Sequence, residues 1–97
     1  MKISILLPYK ENFSPTYPGA VSIFVKDTTL RSKYNVNITI FGYTKYKSKL
    51  LKNYINLDIK KKLLQSNSKL YVKEFLKYEK KSHSNLIEVH NRPIYIK

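Results

Sequence analysis

The sequence contains no cysteine. Disulfides and thiolate metal sites are excluded, and the composition suits a reducing compartment. Only two glycines occur, Gly19 and Gly42. They lie too far apart for the G-x-G-x-x-G dinucleotide fingerprint or for a phosphate-cradling P-loop. Six acids and two histidines, His83 and His90, are scattered along the chain. They assemble no metal-ligand set, and no Ser-His-Asp or Cys-His arrangement can be defended. No metal and no cofactor is expected. No apolar run approaches the length that crosses a bilayer. The start, Met1-Lys2-Ile3-Ser4-Ile5-Leu6-Leu7-Pro8, lacks the longer apolar region and small-residue cleavage site of a signal peptide. A cytoplasmic protein is expected, with peripheral contact at the inner membrane face left open.

Arginine is also scarce. Only Arg31 and Arg92 are present, so the net charge of +13 is carried almost wholly by lysine. Asn, Ile and Tyr are abundant too, and all four residue types share A/T-rich codons. Base composition therefore accounts for much of the bias. Apart from Lys60-Lys61-Lys62 and Lys80-Lys81, the lysines are spread along the chain. They read as solvated faces and helix ends rather than as a phosphate-binding stripe, and no specific nucleic-acid partner is expected. A field this positive still favours anionic partners. The alternative reading is a small basic module that binds nucleic acid or an anionic membrane surface.

The chain has 97 residues, 42% of them hydrophobic. That suffices for one small globular domain. Residues 2–7 form a short, nearly continuous apolar run, as in a strand buried on both faces. Residues 8–18 hold three prolines and form a loop. A helix follows from Gly19 to about Ser32, with Val21, Phe24, Val25 and Thr28 as its expected inner face. Residues 35–37 turn the chain into a second strand, Ile38 to Phe41, closed by Gly42. Residues 43–52 are polar and basic loop. A weaker strand at residues 54–59, interrupted by Asn56 and Asp58, suits a sheet edge.

Ser66-Asn67-Ser68 offers helix N-caps. The second helix should reach Lys81, with Val72, Phe75 and Leu76 as its apolar stripe and Tyr71 and Tyr78 beside it. Residues 86–90 are a fourth strand, ending in Asn91-Arg92-Pro93. The order β-α-β, then β-α-β, predicts an α/β fold. It is a Rossmann-like parallel sheet of about four strands, in spatial order 3-2-1-4, with flanking helices.

In that order the crevice between the carboxyl ends of strands 1 and 4 is the topological switch point, where open α/β sheets bind ligands. Two loops meet there, 8–20 and 90–93. Gly19 permits close backbone approach, and a helix start favours anions; equally, Gly19 is a plain helix-start residue. His90 can bind a ligand or handle a proton, or simply close a strand. Arg92 can fork onto a phosphate or carboxylate, or pair with Glu88 or Glu11. Asn91 can bond a sugar hydroxyl or shape the turn. No catalytic residue is assigned.

The opening Met1–Glu11 with Pro18-Gly19-Ala20-Val21, and the segment Leu86-Ile87-Glu88-Val89-His90-Asn91-Arg92-Pro93, resemble bacterial glycosyltransferases of the two-domain GT-B fold. The retaining lipopolysaccharide-type and mannosyl-type branch is the nearest in pattern. The resemblance implies that residues 1–97 are part of an N-terminal, acceptor-side Rossmann-like domain. The partners it implies are a nucleotide-sugar donor, a glycan or lipid acceptor, and a C-terminal domain that this chain lacks. It places Gly19 and Ala20 in the cleft near the donor diphosphate or acceptor. His90 would contact the transferred sugar or acceptor, with Asn91 and Arg92 beside it. Many relatives have a glycine pair at the first position, and Ala20 departs from that pattern. An incomplete domain of this kind, from a truncated gene, a fragmentary reading frame or a split protein, is expected to be inactive alone.

Overall fold

A computed structural model of the chain describes residues 1–57 and 67–90. The Lys60–Lys62 run, the end of the third strand, Ser66, Asn91, Arg92 and Pro93 lie outside the described residues. The elements are β1 (Ile3–Leu6), α1 (Ala20–Arg31), a 3-10 turn (Asn35–Asn37), β2 (Ile38–Gly42), β3 (Tyr54–Asn56), α2 (Asn67–Ser82) and β4 (Leu86–Val89). The sheet has the order β3-β2-β1-β4 and every pairing is parallel. This is the Rossmann-like α/β arrangement expected of the two β-α-β units.

β1 is central, and its side chains alternate between two cores. Ile3, Ile5 and Leu7 pack with Ile38, Ile40, Phe13, Tyr54 and Val25 of α1. Leu6 packs on the other face with Phe41, Leu57, Tyr71 and Phe75. α2 covers this second face, where Phe75 sits edge-on to Phe41 with ring centroids 5.2 Å apart.

Each helix buries only part of its expected inner face: Val21 and Val25 of α1 and Phe75 of α2 pack inward as expected, and the rest differ. On α1 the buried residues are Ser22, Val25 and Thr29, while Phe24 is exposed. On α2 the buried residues include Leu70, Tyr71 and Phe75, while Val72 and Leu76 are exposed. The exposed Phe24 of α1 borders His90 at the end of β4, and the exposed Val72 and Leu76 of α2 border Ile87 and Val89. Periodicity alone assigned those helix residues to the core.

The inner face of α1 carries a misfit. Among the described residues, Ser22 Oγ and Thr29 Oγ1 are buried without a hydrogen-bond partner. An unpaired buried hydroxyl is destabilising, and an isosteric methyl removes the penalty. Thr29→Val should therefore stabilise the fold by about 1 kcal/mol. The check is a higher urea midpoint at unchanged m-value; an unchanged or lower midpoint would contradict the assignment.

The turn from α2 into β4 is tied to β1. His83 takes a left-handed conformation, with φ 52°, just past the helix end. Ser84 donates to Glu79 through its hydroxyl (2.8 Å) and its backbone N–H (3.2 Å), and its hydroxyl lies 2.5 Å from that of Ser4. Burial pushes the Glu79 carboxyl up. Hydrogen bonding from Ser4 and Ser84 and the charge of Lys2 outweigh burial and hold it below the ordinary glutamate value of 4.5. A carboxyl lowered in the folded state binds fewer protons than in the unfolded chain. Its stabilisation is present above pH 4.5 and disappears as pH falls through the folded value. Glu79→Gln should therefore flatten the acid limb of the stability curve below that pH. An acid limb of unaltered slope in urea titrations would contradict this.

Candidate functional site

The carboxyl ends of β1 and β4 lie side by side, closed by the His90 N–H donating to the Leu6 carbonyl at 2.9 Å. Leu7 continues the pairing on the other side, donating to the Phe41 carbonyl. Pro8 then turns the chain out of the sheet. The Glu11 N–H returns to the Pro8 carbonyl at 3.0 Å, with Lys10 in the left-handed region at φ 66°.

A concavity of about 740 Å³ opens here, lined at its head by Leu7, Pro8, Tyr9, Lys10 and His90. The strand-1 loop and the strand-4 end thus share one surface, as the switch-point topology requires. Tyr9 forms part of an aromatic platform. It stacks on Tyr43 at 5.7 Å and meets Tyr71 at 5.3 Å, with Lys10 Nζ 5.6 Å from its ring centre. The Tyr71 hydroxyl donates to the Leu7 carbonyl at 2.5 Å. Burial above all, with the nearby Tyr54 and Glu11, pushes that phenol well above its ordinary value. Tyr71 is therefore a fixed, neutral donor. A smaller hollow of about 320 Å³ is lined by Lys10, Asn12, Tyr43, Thr44 and Lys45. Thr44 Oγ1 donates to Asn12 Oδ1 at 2.9 Å and orients that amide.

His90 is partly exposed, and its Nε2 lies 2.6 Å from Glu88 Oε2. Alternation along β4 puts residues 88 and 90 on one face, so this pair was readable from sequence. The sequence reading offers Glu88 as a partner for Arg92 instead. The imidazole also meets the Phe24 ring edge-on at 6.3 Å. Ala20 lies one helical turn before Phe24 on the same stripe of α1 and is exposed. His90 and the start of α1 therefore border one surface. Gly19 and Ala20 do not line the 740 Å³ concavity.

Comparison with known protein families, characterised proteins and solved structures finds no match to this chain. The site must be read from its own chemistry.

Gly19 is the N-cap of α1, in extended conformation at φ −75°, and a glycine offers no side chain to cap the helix. Glu11 does so from outside. Its buried carboxylate accepts the Ser22 N–H at 3.0 Å, which is the bond an N-cap side chain normally makes. A Cβ on Gly19 would overlap the Glu11 carboxylate. The anion-favouring helix start is thus already filled by an internal anion. Sequence reading could not find this pairing, because it joins positions eleven residues apart through a loop.

Among the described residues no group of three or more His, Asp or Glu side chains is placed to hold a metal ion. None of the described helices is long and apolar enough to cross a membrane.

Proposed function

We propose that this chain forms the acceptor-side wall of a glycosyltransferase cleft. The whole enzyme would move a sugar from a nucleotide-sugar donor to a glycan or lipid acceptor. The observation that carries the reading is the meeting of the Pro8–Lys10 turn with His90 at one concavity on the carboxyl edge of β1 and β4. Open α/β sheets bind ligands at that position. The chemistry around it suits a sugar. Tyr9 and Tyr43 offer apolar faces, and Asn12 and Lys10 offer hydrogen-bonding groups beside them.

The internal carboxylate of Glu11 supports an acceptor role over a donor role. A donor diphosphate brought to the start of α1 would meet a like charge there. Transfer forms a bond from the acceptor oxygen to the anomeric carbon and breaks the bond to the diphosphate oxygen. The acceptor hydroxyl loses its proton, and the leaving diphosphate needs cationic or N–H donors. Those donors fall to the opposite wall, so the isolated chain should bind sugars weakly and turn over nothing.

Amide chemical shifts of the labelled chain test this against nucleotide sugars, neutral oligosaccharides, duplex DNA and anionic vesicles. Oligosaccharides in the millimolar range should move Tyr9, Lys10, Asn12 and His90. The reading fails if those amides stay still with every sugar, or if DNA or vesicles move them with a steep salt dependence. Measurable transfer by the chain alone would overturn the claim that it needs a second wall.

A further inference from the structure

Among the described residues β4 is the open edge of the sheet and pairs with β1 alone. Its apolar residues are uncovered on both faces at once. Leu86, 51% exposed, lies in register with Ile3 on the α1 side. Ile87 and Val89, 45% and 52% exposed, lie in register with Ser4 and Leu6 on the α2 side. The neighbouring helices continue both patches, through Phe24 on α1, which meets His90, and Val72 and Leu76 on α2. The α2 side is concave. The lower part of the 740 Å³ concavity runs between Val72, Phe75 and Leu76 of α2 and Ile87 and Val89 of β4.

Topology says what shape fits. A right-handed crossover that moves along the sheet from β3 to β4 puts α2 on this face. Helices that cover one face of a parallel sheet pack side by side, so a further helix on this face would lie beside α2 and a further parallel strand outside β4. The groove has the position of that helix, and the open edge that of that strand.

Charge says what composition fits. Lys69, Lys73, Lys77 and Lys80 run along the outer side of Val72 and Leu76. The acids nearby are already engaged: Glu74 pairs with Lys77 at 3.0 Å, and Glu79 accepts from Ser84. We propose that the groove and the β4 edge together dock an acidic helix–strand segment of a second polypeptide. Its amphipathic helix lies beside α2 with apolar residues on Leu76 and Ile87 and carboxylates toward the lysine row. Its strand extends the sheet in parallel. A second copy of this chain is disfavoured, because it would bring two +13 molecules edge to edge. An anionic membrane supplies the charge but no backbone partners for β4. The proposal stands on topology and charge, independently of whether the crevice handles sugars.

The probe is a synthetic peptide of about 14 helical residues, Leu on one face and Glu on the other, a short turn, and about six Val/Thr strand residues. A control carries Lys in place of Glu. The acidic peptide should bind at least about ten-fold tighter than the control. It should slow amide exchange at Leu86–Val89 and shift Val72 and Leu76. Leu76→Lys, at an exposed position, should keep the circular dichroism spectrum and weaken binding at least about ten-fold. Lys73→Glu with Lys80→Glu should do the same by charge alone. The proposal is overturned if the acidic peptide fails to bind, if both peptides bind alike, or if both sets of variants bind as the parent does. It is also overturned if phosphatidylglycerol vesicles or self-association protect Leu86–Val89 and the peptide does not.

Discussion

Gly19→Ala is expected to lower the stability of this fold by about 2–4 kcal/mol. Backbone reasoning alone gives the opposite sign. Gly19 has φ −75°, a conformation alanine adopts freely, and removing a glycine at a compatible site usually stabilises by about 0.4–1 kcal/mol through the unfolded chain. The large loss comes from Glu11. The new methyl would occupy the place of its carboxylate, which is buried and accepts the Ser22 N–H. Displacement strands that N–H at a helix start and forces a charge to find another environment. The two residues should therefore be coupled. In a Glu11→Ala background, Gly19→Ala should cost little, giving an interaction energy of about 1.5–3 kcal/mol in urea titrations of the four proteins. Additive effects would show that the carboxylate does not cap α1.

Phe13→Ala should be more damaging, by about 3–5 kcal/mol. Loop residues normally tolerate substitution, and Phe13 lies in the 8–18 loop. Its side chain is nonetheless fully buried. It stacks on Tyr54 at 5.2 Å with the rings 6° from parallel, and its carbonyl accepts the Leu50 N–H at 3.3 Å. The ring joins the loop to β3 and to the chain leading into it. A domain of this size has on the order of 5–15 kcal/mol in total, so truncation consumes much of it. Phe13→Leu should cost only about 1–2 kcal/mol, since it keeps most of the volume. Thermal unfolding followed by near-ultraviolet circular dichroism reads both. A loss below about 1 kcal/mol for Phe13→Ala would mean the ring does not anchor the loop.

The strand order was legible because each strand carries its own signal. Ile3 to Leu6 and Ile38 to Phe41 are short apolar runs bounded by Pro8 and Gly42, and the two helical crossovers together with the parallel β2–β3 connection suit one order for right-handed units. The helix faces were legible only in part. Ile23, Phe24 and Leu30 of α1, and Val72 and Leu76 of α2, are as apolar as the residues that face the sheet. A periodicity argument assumes one buried side, and here the apolar residues divide between the sheet and exposed faces, of which Phe24, Val72 and Leu76 border β4. At the site, the meeting of the strand-1 loop with His90 followed from topology alone. The Glu88–His90 pair needed only strand alternation. The role of Glu11 and the Tyr9–Tyr43 stack were hidden, because both depend on contacts between loops distant in sequence. Asn91 and Arg92 fall outside the described residues.

The position of β4 also has a temporal side. Lys2, at the foot of β1, donates to Asn85 at the foot of β4 across 83 residues of chain. The strand made first is therefore the last to gain its second neighbour. At about 5–20 residues per second, β1 waits on the order of 4–17 s on the ribosome with one edge open. Non-local closure of this kind also slows folding after release. Stalled chains of increasing length should show protease protection of β1 only once Val89 has left the exit tunnel. Until then the central strand of the finished sheet is a free edge, and nascent copies on one message present it to each other.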